Sequence, residues 1–298
     1  MTLIQKHSTL YIPLILSLFF YTSCTEDASI NPHIENVPVA NCLLVNDSIQ
    51  HLSLTRSGNI PNYKNFEKIT DAQASLLEND SLVGNFTYKE NDWQLRFTPQ
   101  AGKHYSLKVV LSDHTVLTAQ TTMPDMPPVS CLSPDTLPYR RYFLQTNHSC
   151  PLWAYVITGS TKLKTPANGR MVDELGSNHP DTDNFNEESD DMGEDYPGCA
   201  SMVHDYYLRF ASSERKETNF FIEAHYSSYS AVIFIAPSTE YDKYLKTSVS
   251  KMLVHDDDGD PESWFDETIV YSNINNGKGI FGAYNQIVFY RNGGEDEN

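Results

Sequence analysis

The stretch Gly102-Lys-His-Tyr-Ser-Leu-Lys-Val-Val-Leu111, followed by Ser112-Asp-His114 and then Val116-Leu-Thr-Ala-Gln-Thr-Thr122, alternates apolar and polar residues at a period of two. That period sends successive side chains to opposite faces of a strand, and a short polar turn between two such runs makes a hairpin. Just upstream, Asn85-Phe-Thr-Tyr-Lys-Glu-Asn-Asp-Trp-Gln-Leu-Arg-Phe97 has the same form, with Phe86 and Tyr88 before a polar turn and Trp93, Leu95 and Phe97 after it. Gln50-His-Leu-Ser-Leu-Thr-Arg56 places Leu52 and Leu54 on one face, and Asp71-Ala-Gln-Ala-Ser-Leu-Leu-Glu78 is a further short run. Several short strands at close spacing predict a β-sandwich. Between Pro99 and Tyr105, the Gly102 turn and the strand-opening Tyr105 look like a tyrosine corner; an aromatic that simply fills the core is the alternative.

Outward from this block, Met123-Pro-Asp-Met-Pro-Pro128 marks a boundary, because proline cannot donate to a ladder and stiffens an extended linker. Strand candidates resume at 141–146, 152–158, 206–210, 219–226, 230–235, 268–271 and 283–290. The fold class expected is all-β: an immunoglobulin- or transthyretin-like sandwich over 39–125, then a larger antiparallel sandwich or barrel-like domain over 129–291, with one helix and a polar tail at 292–298. The helix follows Ser238-Thr239, with Glu240 and Asp242 in its first turn and Tyr241, Tyr244, Leu245, Val249 and Met252 on one face. Residues 173–195 hold ten acids and no Lys or Arg, so repulsion predicts a mobile insertion. A calcium-ordered loop is the alternative there, and also for Asp256, Asp258 and Asp260 after the helix, although neither spacing matches an EF-hand.

The chain has 298 residues, with 21 Lys and Arg against 39 Asp and Glu, a net charge of −18. Such a surface repels phosphate backbones and anionic headgroups, so no nucleic-acid partner is expected. With 18 Tyr, 14 Phe and 3 Trp the sequence is rich in residues that favour half-buried strands.

Residues 1–23 carry one Lys, no acid and an apolar run from Leu10 to Tyr21 that is too short to span a bilayer as a helix and is interrupted by Pro13. This reads as an export signal. It ends in Thr22-Ser23-Cys24, small residues directly before a cysteine, an arrangement that resembles the lipobox of bacterial lipoproteins. The resemblance implies cleavage before Cys24, acylation of its thiol and amine, a tether over 24–38, and anchoring without a spanning helix. The acids Glu26 and Asp27 resemble a surface-export signal of Bacteroidetes lipoproteins; an ordinary polar tether is the alternative. The remaining four cysteines, even in number, suggest disulfides in an oxidising compartment, with Cys150–Cys199 and Cys42–Cys131 the favoured pairing of three.

Near the C-terminus Gly277, Gly279 and Gly282 spell Gly-x-Gly-x-x-Gly. A dinucleotide site needs a helix after this motif and an acid about twenty residues on. Here a strand-like Gln286-Ile-Val-Phe-Tyr290 follows, so nucleotide binding is rejected and the glycines are expected to let backbone meet backbone between the last two strands. The segment Tyr271-Ser-Asn-Ile-Asn-Asn-Gly-Lys-Gly-Ile-Phe-Gly-Ala-Tyr284, with Tyr241-Asp-Lys-Tyr-Leu245 and the acidic, aromatic 258–266 before it, resembles the C-terminal signature of domain of unknown function 4249. That family consists of Bacteroidetes cell-envelope lipoproteins whose genes often neighbour TonB-dependent outer-membrane transporters. The resemblance therefore implies an outer-membrane, lipid-anchored, surface-exposed accessory or ligand-capturing protein beside such a transporter. Three triplets, Asp47-Ser-Ile, Asp80-Ser-Leu and Asp135-Thr-Leu, resemble the O-glycosylation sequon of that phylum; plain loop polarity is the alternative.

No nucleophile elbow, Ser-Lys pair, P-loop, HExxH or CxxC occurs, so no catalytic residue, structural metal or cofactor is expected and the chain is not read as an enzyme. A fimbrial or adhesin subunit and, more remotely, a glycan-active enzyme are the other readings. Tyr206, Tyr207, Tyr226, Tyr229 and Trp264 are candidates for stacking on a ligand, with core packing as the alternative for each.

Overall fold

The structure is a computed structural model, and it describes residues 36–57, 66–133, 141–172, 175–183, 201–203, 207–212, 217–224, 229–256 and 269–291. The strands in the first half are β1 (Pro38–Val45), β2 (Ile49–Arg56), β3 (Glu67–Lys68), β4 (Gln73–Glu78), β5 (Ser81–Asn85), β6 (Thr87–Lys89), β7 (Asp92–Arg96), β8 (His104–Val110) and β9 (Val116–Thr122). The second half adds β10 (Val129–Ser133), β11 (Arg141–Thr146), β12 (Leu152–Gly159), β13 (Arg170–Met171), β14 (Leu175–Ser177) and β15 (Thr182–Asp183). It continues with β16 (Ser201–Val203), β17 (Leu208–Phe210), β18 (Thr218–Ala224), β19 (Tyr229–Pro237), the helix α1 (Thr239–Asp256) and β20 (Lys278–Arg291).

These strands form three sheets. The largest runs β15-β17-β12-β19-β20-β1-β2-β7-β6, with β13 and β3 attached; a second runs β10-β11-β18-β14-β16, and a third β5-β4-β8-β9. Every pairing is antiparallel except β1 with β20, which is parallel. The all-β expectation holds. Period-two alternation is realised in the small sheet, where Tyr105, Leu107 and Val109 of β8 and Leu117, Ala119 and Thr121 of β9 are buried and their neighbours face outward. By contrast, β19 is buried at eight of its nine positions. It is a central strand covered on both faces, which matches the apolar run at 231–237 in its sequence.

Strand β20 explains how the cores are arranged. Its odd-numbered residues Phe281 and Ala283 join the first core, with Leu44, Leu52, Leu76 and Leu107. Further along the same face, Ile287 and Phe289 pack on the second core, with Tyr142, Phe210, Phe220 and Phe234. Asn285 stands at the seam, and its Nδ2 donates to the Pro124 carbonyl of the proline-rich linker at 2.6 Å. The even-numbered face, with Tyr284, Val288 and Tyr290, packs with Leu245 and Val249 of α1. The two smaller sheets thus lie along one face of the large sheet and the helix on the other. The chain leaves the first core at Met123 and enters the second at Val129, but β20 belongs to both, and the described residues from Asn36 onward group as one compact unit.

Several local expectations change. Part of the acidic stretch expected to be mobile is ordered: β14 pairs with β18 and β16, Leu175 is fully buried, and Ser177 Oγ donates to the Phe221 carbonyl at 3.0 Å. Leu175, one of the few apolar residues of the stretch, enters the second core there; 184–200 lie outside the described residues. Residues 269–271 are not a strand. The glycines meet backbone as expected, but against the first strand: a Cβ on Gly277 would lie 2.7 Å from the Pro38 carbonyl oxygen, and one on Gly279, at φ +112°, 2.2 Å from that of Ala40. The tyrosine corner is present, since Tyr105 Oη accepts from the Gln100 amide at 2.9 Å and donates to Glu78 at 3.1 Å after the left-handed Gly102.

Of the two favoured disulfides, Cys42–Cys131 does not form, and Cys150–Cys199 involves a residue outside the described ones. Cys42 is a buried free thiol in the first core, whereas Cys131 packs against the second, so the two face different interiors. Cys150 is exposed and free, and Cys199 lies outside the described residues.

Candidate functional site

The outward faces of β8 and β9 carry a ladder of polar cross-strand pairs: His104 with Thr122, Ser106 with Gln120, and Lys108 with Thr118. His104 Nδ1 and Thr122 Oγ1 are 2.7 Å apart, which ties one rung together. Sheet geometry makes this face: the inward residues of each strand are committed to the core, so the alternate positions are left to solvent. One wall is the turn at Asn79-Asp80, where both residues have positive φ, 46° and 65°, the conformation of a tight hairpin connection. The opposite wall is the extended stretch from Tyr271 to Asn275. At its end, Glu240 of α1 reaches in, its Oε2 accepting from Thr121 Oγ1 at 3.0 Å. Between the walls lie two adjoining clefts of about 400 and 520 Å³ that share Asp80, Ser106, Gln120 and Glu240. Each falls in the size range of small-ligand sites.

The second wall is built by side-chain amides. Asn273 Oδ1 accepts from the Phe281 amide at 2.9 Å, and its Nδ2 donates to the Phe281 carbonyl at 2.8 Å, closing both backbone groups of one β20 residue. Asn275 Nδ2 donates to Thr118 Oγ1 at 3.1 Å and Asn276 Nδ2 to the Val116 carbonyl at 2.9 Å. The asparagines therefore stitch the free edge of β9 to β20. Asn41 ties β1 to β20, its Oδ1 accepting from the Ile280 amide at 3.1 Å. Tyr271 is held by its amide, which donates to Thr247 Oγ1 of α1 at 2.8 Å, and the Lys243 ammonium lies 5.5 Å from its ring centroid.

A second cluster lies where α1 crosses the large sheet. Arg209 donates to both oxygens of Asp242, at 2.9 and 2.8 Å, and to Asp183 Oδ2 at 2.5 Å. Trp153 Nε1 donates to Asp242 Oδ1 at 2.8 Å, and Lys246 stands 3.4 Å from Asp183. Around them, burial pushes the Tyr155 phenol up to about 12 and also raises Tyr207, Tyr241 and Tyr284. Tyr207, a stacking candidate, is edge-on to Trp153 and Tyr155 and belongs to this cluster. Tyr229 is half-buried at the start of β19, while Tyr206, Tyr226 and Trp264 lie outside the described residues.

At the far end of the second core, His148, His179 and Asp181 bring one donor atom each to within 4.8 Å of one another. His148 Nε2 donates to the Ala211 carbonyl at 2.9 Å, and His179 Nδ1 accepts from the Asp181 amide at 3.2 Å, so each ring has one nitrogen bonded to main chain. His179 is packed 4.8 Å from both Phe210 and Phe220. His179 and Asp181 share the connection between β14 and β15, whereas His148 lies between β11 and β12, so the three together leave no local spacing signal in the sequence. Asp256 is the last residue of α1; Cys24, Asp258 and Asp260 lie outside the described residues.

A profile of the family described as Domain of unknown function (DUF4249) matches residues 27–287, most of the chain. The chain belongs to the DUF4249 family. In this DUF4249 chain, the stretch by which the sequence resembles the family, Tyr271–Tyr284, is the asparagine stitch, the glycine approach to β1 and one wall of the groove. No curated protein sequence matches the chain. Among solved structures, a Corynebacterium diphtheriae protein described as membrane-anchored is 8% identical, with 68% of this chain and 54% of that one covered and a TM-score of 0.22. The segment of Escherichia coli alpha-2-macroglobulin spanning domains MG0-NIE-MG1 is 8% identical, with 66% and 65% covered and a TM-score of 0.20. The secreted serine protease VesC of Vibrio cholerae is 7% identical, with 65% and 47% covered and a TM-score of 0.17. The chain thus spans about half to just under two-thirds of each of those proteins. Among the described residues of this DUF4249 chain, no helix is long and apolar enough to cross a membrane.

Proposed function

We propose that this DUF4249 chain is a Bacteroidetes-type cell-envelope lipoprotein, held in the outer membrane by acyl chains on Cys24 and exposed at the surface, where it acts without catalysis as an accessory or ligand-capturing partner of a TonB-dependent transporter. The observation that carries the reading is Thr22-Ser23-Cys24 placed directly after an apolar export-like run in a chain of this family. Several acyl chains give stable attachment with no spanning segment. The net charge of −18 supports anchoring through lipid rather than through anionic headgroups. The groove over β8 and β9 supports the ligand-capturing half, because it is open, preformed on strands and walled on both sides. The non-catalytic half rests on the sequence, which carries none of the nucleophile or metal motifs that acyl transfer, phosphoryl transfer or metal-assisted hydrolysis use.

The test is copurification from native membranes solubilised in mild detergent, with the full-length lipoprotein as bait. A TonB-dependent barrel encoded beside it should be recovered with wild type and lost with Cys24→Ala. Recovery of no outer-membrane transporter, in cells expressing both, would overturn the accessory reading.

A further inference from the structure

We propose that the groove over β8 and β9 binds a neutral oligosaccharide. The inference deepens the ligand-capturing reading and rests on it.

The floor of the groove is the polar ladder of β8 and β9. Its rungs repeat every two residues, about 6.8 Å along a strand. The Ser106 hydroxyl and Gln120 amide, paired across β8 and β9, each both donate and accept hydrogen bonds. A sugar hydroxyl also does both, so such a floor matches a polyol hydroxyl for hydroxyl. An anionic ligand would call for a surplus of cations or converging backbone amides. The groove offers one ammonium, Lys108, against two carboxylates, Asp80 and Glu240. An apolar ligand would leave these hydroxyls and amides desolvated without partners, which costs free energy for each one.

The walls sharpen the assignment. Glu240, fixed by the Thr121 hydroxyl, presents a carboxylate that can accept from neighbouring sugar hydroxyls in charge-assisted bonds. Tyr271 supplies an aromatic ring at the same end, and pyranose C–H faces pack on such rings. The main chain that carries the ring is anchored by the Tyr271 amide on Thr247 and by the neighbouring Asn273 and Asn275 stitch, so little backbone order has to be gained on binding.

The experiment uses the full-length lipidated protein in detergent micelles on an array of neutral and acidic oligosaccharides, followed by calorimetric titration with the best neutral binder. Gln120 is exposed on an outward strand position, so Gln120→Ala should leave the thermal midpoint unchanged while weakening neutral-glycan affinity at least about tenfold. Tyr271→Ala should weaken it similarly, and Leu82→Ser, an exposed site outside the groove, should not. Absence of binding to every neutral glycan, preference for acidic ones, or equal binding by Gln120→Ala overturns the inference. Copurification with the transporter, read separately with Gln120→Ala as bait, distinguishes failure of the ligand class from failure of the accessory reading.

Discussion

Arg209 and Asp242 show what a buried charge demands of its surroundings. The Arg209 side chain is 8% exposed and Asp242 13% exposed, and the fork of two parallel bonds is joined by Trp153 and Asp183. Removing one partner leaves the other charged in a poorly hydrated place. Asp242→Ala should cost about 3–5 kcal/mol in urea unfolding, far more than loss of an exposed pair such as Lys89–Glu90, which is worth at most about 1 kcal/mol. The tyrosines around this pair set an alkaline limit. Burial raises Tyr155 to about 12 against an ordinary value of 10, and Tyr207, Tyr241 and Tyr284 move the same way. The folded state holds these protons more tightly than the unfolded chain, so their contribution is intact below pH 10 and is lost as pH climbs from 10 towards 12. Denaturation midpoints should fall across that window, and phenolate absorbance should show a late-titrating fraction that shrinks in Tyr155→Phe.

At the scale of elements, β20 carries the most consequence. It pairs with β1 in parallel and with β19 in antiparallel fashion, and one of its faces serves both cores. Gly279 allows the approach: its φ of +112° is one that other residues rarely adopt, and an added Cβ would meet the Ala40 carbonyl. Gly279→Ala should therefore destabilise by at least about 3 kcal/mol, measured by thermal unfolding, whereas alanine at Gly102, where φ is +74° but a Cβ would meet no neighbour, should cost less. Much of this layer was legible. The strand at Arg141–Thr146, the helix starting after Ser238 and the corner at Tyr105 sit where alternation, capping and turn residues place them. The parallel partner of β20 was not, because pairing across more than two hundred residues leaves no local pattern. Nor was β14, whose three residues are too few for a period to register.

For the whole molecule, composition and alternation were enough to give an all-β chain, but not the single large sheet on which two smaller sheets lie side by side. The groove was half legible. Ser106 and Gln120 could be assigned to outward positions from period two alone, yet the wall facing them comes from residues some 150 positions later, and Glu240 reads in the sequence only as an anion suited to a helix start. Everything proposed about where this molecule works depends on the state of one cysteine. The most direct measurement is intact-mass and N-terminal peptide mass spectrometry of the protein purified from native membranes. The account predicts a mature chain that begins at Cys24 carrying diacylglycerol and an amide-linked acyl group; a chain that retains residues 1–23, or begins elsewhere with an unmodified amine, contradicts it.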